Sequence, residues 1–191
     1  HARVNFEAID DVEAACRWFH DVYERSADGA AGLAKRVSEA KRIYAVLTGA
    51  GANGYIAQAL AIANDDSHGY SMASRLMNPD VDCSSFVYYS LLLSGWSQDQ
   101  LGGSYPFTTH NMGPILESAG FTRFDYTGMQ DLLPGDILVN PARHTEIYYG
   151  DGLNLGAHSN YDGRAGDSSG REVCLGSFWE SGWVNVYRLA G

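Results

Sequence analysis

Cys83 is the residue of this sequence best placed for nucleophilic chemistry. It stands between Asp82 and Ser84, and the largely apolar run 86–93 follows. Because Asp is a preferred N-cap residue, this pattern predicts a helix whose first turn contains Cys83. Free N–H groups and the positive end of the helix dipole favour the thiolate at that position, and the thiolate is the nucleophilic form of cysteine.

A nucleophilic cysteine needs a base, and His144 is our candidate for that base. His144 begins a predicted strand, 144–149, so its ring can project into a cleft at the end of a sheet. A helix-borne cysteine followed in the chain by a histidine on a sheet is the papain-like arrangement. The other two cysteines, Cys16 and Cys174, lie in apolar stretches, which is typical of structural cysteines.

A third polar group is expected to orient the imidazole of His144. His158 is the first candidate, because it lies on the next predicted strand and its neutral ring can accept a hydrogen bond from Nδ1–H of His144. Glu146, two residues after His144 on the same strand face, is an alternative. Asn154 and Asn160 are further alternatives.

Four residues near this pair are predicted to contact substrate: Tyr70, Asp82, Ser84 and Glu146. The hydroxyl of Tyr70 can bind a polar group of the substrate or line an oxyanion pocket. Asp82 can bind a substrate amine, although its role as a helix cap already explains its presence.

Zinc is the competing hypothesis for the same residues. Cys83, His144 and His158 can in principle supply three ligands of a catalytic site. Their spacing matches no short zinc motif, and a zinc-bound thiolate is not a nucleophile. We therefore predict no metal and no cofactor.

The predicted elements that position these residues are helices first and strands second, an α+β pattern. Two apolar stripes in residues 1–50 predict an N-terminal helical hairpin or linker. Further helices are predicted at 55–64, 83–93 and 112–119, and strands at 137–139, 144–149, 153–158, 172–176 and 184–188. We expect the strands to form an antiparallel meander.

Composition excludes several classes of protein. The 191 residues carry 13 Lys and Arg against 23 Asp and Glu, a net charge of −10, which argues against a nucleic-acid binder. No stretch approaches the roughly 20 apolar residues of a membrane helix, so membrane insertion is not expected. Three widely spaced cysteines give no disulfide framework.

The chain resembles NlpC-type cell-wall cysteine peptidases, and within that superfamily the phage-endolysin branch of peptidoglycan amidohydrolases. The motifs that carry the resemblance are His68-Gly69-Tyr70, Asp82-Cys83-Ser84-Ser85-Phe86-Val87, Leu133-Pro134-Gly135-Asp136-Ile137-Leu138 and His144-Thr145-Glu146-Ile147-Tyr148-Tyr149-Gly150-Asp151-Gly152. They occur in the order of that branch. The resemblance covers about residues 54–190, so 54–191 is predicted to be the catalytic domain and 1–50 a separate segment.

The resemblance implies a papain-like, NlpC-type fold with Cys83 as nucleophile and His144 as general base. Tyr70 matches a family tyrosine near the active site. An ungapped match places Gly156 where many relatives have His, Gln or another polar residue. His158, two residues later with the same strand parity, is the expected substitute.

The implied activity is hydrolysis of an amide bond in bacterial peptidoglycan, the expected partner. We expect an endopeptidase that cuts after γ-D-glutamate, and an N-acetylmuramoyl-L-alanine amidase of the same fold is the alternative. The expected place of action is the bacterial cell wall, after secretion or phage delivery, although no export route is visible in this chain. A non-catalytic wall-binding module of a phage particle or toxin is a rival of a different class. The oligomeric state is not predicted.

Overall fold

The structure is a computed structural model, and it describes residues 12–18, 32–33, 36–37 and 54–189. The predicted hairpin of residues 1–50 falls mostly outside these ranges. Its described part includes one short helix, α1, Val12–Trp18. The division into a hairpin and a catalytic domain therefore stays a prediction.

In residues 54–189, three α-helices lie close to their predicted positions: α2 is Gly54–Ala63, α3 is Cys83–Leu93 and α4 is Met112–Ser118. A short 3₁₀-helix at Met129–Asp131 was not predicted. Helix α3 begins at Cys83 because Asp82 caps it. The Asp82 carboxylate accepts from the N–H of Ser85 at 2.7 Å, and the Ser85 hydroxyl accepts from the N–H of Asp82 at 2.8 Å. This reciprocal capping box satisfies two N–H groups at the helix start.

Six antiparallel strands form one sheet in the order β1-β6-β2-β3-β4-β5. Their bounds are β1 Phe121–Asp125, β2 Ile137–Asn140, β3 His144–Gly150, β4 Leu153–Ala157, β5 Val173–Ser177 and β6 Asn185–Leu189. Strands β2 to β5 form the expected meander, but a simple meander is wrong for the whole sheet. Strand β6 returns to pair with β2 and β1, and β1 was not predicted.

Different groups pack on the two faces of the sheet. Helices α2 and α3 pack on one face, where Phe86 and Leu91 of α3 share the main core with Ile147 and Leu155. On the other face, Tyr148 packs in a smaller cluster, whose remaining buried members are Leu132, Leu138, Trp183 and Val186. The predicted α+β class, with a cysteine-bearing helix packed on an antiparallel sheet, is confirmed.

In the ranges that the structure describes, every helix is too short or too polar to cross a lipid bilayer.

Candidate active site

The Cys83 sulfur lies where the start of α3 meets the start of β3. The whole Cys83 residue is only 7% exposed. The backbone N–H groups of Thr145 and Ser84 interact with the sulfur and lower its pKa. Thr145 directly follows His144, the predicted base. The start of α3 therefore places the sulfur close to the peptide bond between His144 and Thr145. Within the described structure, the thiol and the His144 ring make no direct hydrogen bond to each other.

Burial, rather than the helix terminus, controls the ionisation of Cys83. Burial and then the Asp82 carboxylate raise the pKa of the thiol to about 12, while the two backbone N–H groups and Arg75 oppose that rise. The helix N-terminus favours the thiolate, as expected, but burial and Asp82 outweigh that effect in the unliganded chain. The thiol is protonated at neutral pH, and attack on a substrate requires a base.

The imidazole of His144 is held on three sides. Its Nε2 atom lies 3.0 Å from Oε1 of Glu146. The ring stacks on Trp183, with ring centroids 5.9 Å apart and planes at 28°, and the Trp179 ring lies at 5.7 Å. These contacts fix the orientation of the ring and leave Nδ1 as the nitrogen not bound to Glu146.

Glu146 is an ionised carboxylate with no exposed surface. Oε1 also lies 3.2 Å from Nδ1 of His158 and accepts from Nε1 of Trp179 at 3.1 Å. Oε2 accepts from the side-chain amide of Asn154. Burial alone would raise the pKa of Glu146, but its contacts with the two histidines hold that pKa at about 2.

His158 lies beside this carboxylate and not against His144. The two imidazole centroids are 5.9 Å apart, and both rings point a nitrogen at Oε1 of Glu146. Burial lowers the pKa of His158, but contacts with Cys174 and Glu146 raise it to about 9. The expected direct hydrogen bond from His144 to His158 is therefore replaced by a bridge through Glu146.

The two asparagine alternatives have separate surroundings. Asn154 contacts the far oxygen of Glu146, as described above. Asn160 lies in an exposed loop, where its amide donates to the carbonyl of Arg164 at 2.8 Å. The structure therefore does not bring Asn160 to His144.

Two of the predicted substrate-binding residues, Asp82 and Ser84, have their polar side-chain atoms occupied by protein groups. Oδ2 of Asp82 lies 2.7 Å from Nε of Arg75, and the Ser84 hydroxyl accepts from the same guanidinium at 2.8 Å. Glu146 is likewise fully engaged. These contacts give the three side chains structural roles. Their contact with substrate stays a prediction, and Asp82 and Ser84 line the same cavity as Cys83.

The contact of Tyr70 with substrate stays a prediction, and the structure gives its surroundings. It lines a cavity of about 340 Å³ together with Cys83. Its backbone N–H donates to the buried carboxylate of Glu172 at 2.8 Å, which anchors the loop before α3. Burial and the neighbouring Cys83 raise the pKa of Tyr70 to about 12, so its hydroxyl is a neutral donor at neutral pH.

Arg75 is a residue that sequence reasoning missed. It is 6% exposed and also donates to the carbonyls of Pro106 and Phe107, at 3.1 and 2.6 Å. The guanidinium thereby ties the loop before α3 to the segment after it. A lone arginine in a polar stretch gives no periodic signal that would single it out.

Two cavities meet at this site. The larger, about 570 Å³, is lined by His144, Glu146 and His158, whereas Cys83 lies in the smaller one. Arg143 lines both cavities. A substrate that reached from one to the other would therefore pass Arg143, an exposed residue that directly precedes the predicted base in the chain.

The zinc hypothesis does not hold in the form that the sequence suggested. The residues whose possible ligand atoms cluster in the described structure are His144, Glu146 and His158, and Cys83 is not among them.

A family model described as "Endolysin-like domain" matches residues 43–155, more than half of the chain. This chain belongs to the endolysin-like domain family. The match to this endolysin-like domain includes Cys83, His144 and Glu146, and it ends before His158. The resemblance to the endolysin branch is thus confirmed.

Among solved structures, the endolysin-like domain is similar to one titled "Structure of NlpC1 from Trichomonas vaginalis", at 19% identity and a TM-score of 0.40. The match covers 73% of this chain, and this chain spans 45% of the length of that protein. No match was found among curated proteins.

Proposed function

We propose that this endolysin-like domain is a peptidoglycan hydrolase, and that it cleaves an amide bond of the stem peptide through Cys83 and His144. Its family points to action on the bacterial cell wall. The observation that carries the mechanism is the position of the Cys83 sulfur, at a capped helix N-terminus and against the N–H of Thr145, one residue from His144.

His144 acts as the general base in this proposal. Glu146 occupies Nε2, so Nδ1 takes the thiol proton as the Cys83 sulfur attacks the amide carbonyl carbon. The ionised Glu146 then stabilises the imidazolium, as the third member of a triad does. Hydrogen bonds of this kind are often long in unliganded enzymes and shorten when substrate binds.

The remaining steps complete acyl transfer. The imidazolium of His144 gives its proton to the leaving amine, the C–N bond breaks, and an acyl-thioester remains on Cys83. Water attacks this thioester, and His144 takes a proton from the water and returns one to the sulfur. The backbone N–H of Cys83 and the hydroxyl of Tyr70 are the proposed donors to the oxyanion.

Glu146 is a positioning residue in this scheme, because it acts through His144 and has no exposed surface to meet a substrate. His158 contacts the same carboxylate through Nδ1. We therefore propose Glu146, one of the alternatives that the sequence left open, as the third member of the triad. His158 then stabilises Glu146.

Arg143 favours the endopeptidase over the amidase. A γ-linked D-glutamate keeps a free α-carboxylate, and Arg143 lines both the cavity of Cys83 and that of His144. An arginine fork recognises a carboxylate well. We therefore propose cleavage after γ-D-glutamate, with the N-acetylmuramoyl-L-alanine amide as the second candidate bond.

The test is digestion of purified peptidoglycan, followed by mass analysis of the released fragments. An endopeptidase yields fragments that end in γ-D-glutamate, whereas an amidase yields stem peptides that begin with L-alanine. The same digestion with Cys83→Ala should release neither. A protein that pelleted with peptidoglycan but released no fragments would instead support the non-catalytic wall-binding hypothesis.

A further inference from the structure

We propose that His144, Glu146 and His158 form a binding site for a divalent transition metal such as Zn²⁺, and that metal bound there switches off the hydrolase. The inhibition rests on the proposed function. The binding site does not, because it is defined by the three side chains alone.

The spacing of the three groups suits a tetrahedral metal. Oε1 of Glu146 lies 3.0 Å from Nε2 of His144 and 3.2 Å from Nδ1 of His158. One ligand atom from each residue lies within 4.8 Å of the others. Metal–ligand bonds of about 2.0–2.1 Å at tetrahedral angles put neighbouring ligand atoms roughly 3.3 Å apart. Two of the three separations are already close to that value.

Outer groups hold the carboxylate in place for such a metal. Asn154 donates to Oε2 of Glu146, and Trp179 donates to Oε1. The carboxamide oxygen of Asn154 is buried and has no hydrogen-bond partner among the described residues. In metal centres, hydrogen bonds from surrounding residues typically fix the orientation of each ligand.

Access and ligand chemistry indicate which metals would enter. The three residues line the cavity of about 570 Å³, so a fourth position is open to water. Two imidazoles and one carboxylate suit Zn²⁺, Cu²⁺ or Ni²⁺, whereas Mg²⁺ and Ca²⁺ prefer oxygen ligands alone.

Metal at this site removes the proposed base. A neutral imidazole that binds metal through Nε2 carries its proton on Nδ1, so Nδ1 of His144 has no lone pair left to accept the Cys83 proton. Metal displaces the proton from Nε2 and solvent supplies one to Nδ1, so the imidazole remains neutral and its proton count is unchanged. Binding is reversible, because no covalent bond of the protein changes.

Binding is tested on the full chain with Co²⁺, whose d–d absorption reports tetrahedral coordination. We expect one equivalent to bind wild type and Cys83→Ala with equal affinity, and Zn²⁺ to displace it. His158→Gln removes one of the three ligands and should weaken binding by more than roughly 10–100-fold, the loss typical when only an outer-shell partner of a metal ligand is removed. The matched control His110→Gln, at an exposed histidine elsewhere, should bind normally.

Several results would overturn the site: absence of the d–d bands, equal affinity of His158→Gln and His110→Gln, or loss of binding in Cys83→Ala. Circular dichroism establishes that each variant is folded. His144→Gln serves as a second ligand variant, and it should also weaken binding.

Inhibition is tested with peptidoglycan digestion. Zn²⁺ should inhibit wild type and His110→Gln alike, EDTA should restore the rate, and the remaining activity of His158→Gln should be less sensitive to Zn²⁺. Cys83-dependent digestion that Zn²⁺ leaves unchanged would overturn the inhibition alone. Co²⁺ binding by a protein that digests nothing would overturn the proposed function and keep the site. Loss of activity in EDTA, with rescue by Zn²⁺, would overturn the inhibitory role.

Discussion

Nε2 of His144 and Oε1 of Glu146 lie 3.0 Å apart, on residues separated by one position of the same strand. Because alternate residues of a strand point to the same face, this spacing places the carboxylate beside the ring without help from another element. The Glu146 carboxylate also accepts hydrogen bonds from Asn154 of β4 and from Trp179, which follows β5. The orientation of the proposed base is therefore fixed by neighbouring residues of the same sheet.

The pair formed by His158 and Glu146 should make stability depend on pH. The pKa of His158 is raised to about 9 in the folded chain, so its stabilising contribution is fully present below about pH 6.5 and is lost as pH rises through 9. The pKa of Glu146 is lowered to about 2, so stability also falls as pH drops from about 4.5 towards 2.

The measurement is urea unfolding of wild type and His158→Gln across this pH range. The free-energy difference between the two should be largest near pH 6, on the order of 2 kcal/mol, and should shrink by pH 9. A difference that stays constant with pH would contradict the pKa of His158. His110→Gln controls for the loss of an exposed histidine.

Trp179 and Trp183 provide a matched pair of variants. Nε1 of Trp179 donates to the Glu146 carboxylate at 3.1 Å, and Nε1 of Trp183 donates to the carbonyl of Trp179, also at 3.1 Å. Phe at either position removes one hydrogen bond, worth about 1 kcal/mol of stability, and keeps an aromatic ring.

The two variants should differ in catalysis. Trp179→Phe should lower kcat by roughly 3–10-fold, because one donor to the group that orients His144 is lost, while Trp183→Phe should lower it less. Steady-state rates on peptidoglycan check this. Equal losses would indicate that both tryptophans act only through packing.

Cys83 should react slowly with alkylating agents at neutral pH. Burial and Asp82 raise its pKa to about 12, so the thiolate fraction, and with it the alkylation rate, should rise about tenfold per pH unit from pH 7 to 10. Asp82→Asn keeps a capping side chain but removes the charge, and it should speed alkylation. Mass mapping of iodoacetamide adducts measures both; a rate that levels off near pH 7 would indicate a stable thiolate instead.

Arg75 should contribute to stability far more than an exposed arginine. Arg75→Met leaves the Asp82 carboxylate buried and unpaired, which should reduce the free energy of unfolding by about 3–5 kcal/mol. Arg171→Met is the matched control, since Arg171 is exposed and stacks on Tyr161. Its loss should be below about 1 kcal/mol. Chemical unfolding checks both values, and similar losses would contradict the role of Arg75.

The sequence predicted those elements whose signals are local. Asp82 before an apolar run marks the start of α3, and Gly150-Asp151-Gly152 marks the hairpin between β3 and β4. Strand β1 was missed because only Phe121 is buried and its other four residues are exposed, so no alternation is visible. The return of β6 was missed because local patterns join neighbours along the chain and carry no information about distant pairing.

The candidate site was predictable in its residue types and less so in its connections. Cys83 and His144 stand out by type and by flanking residues. Our proposal of Glu146, rather than His158, as the third member of the triad rests on burial and on donors from Trp179 and Asn154, which only the folded chain brings together. The high pKa of Cys83 likewise depends on how deeply the sulfur is buried. No sequence pattern predicts that depth.

The most direct test of Cys83 as the nucleophile is the rate of peptidoglycan hydrolysis by Cys83→Ala, compared with Cys16→Ala as a matched control. Removal of a catalytic nucleophile should lower the rate by on the order of 10⁴-fold or more, while Cys16→Ala should keep the wild-type rate. Hydrolysis by folded Cys83→Ala at the rate of Cys16→Ala would contradict the proposed mechanism.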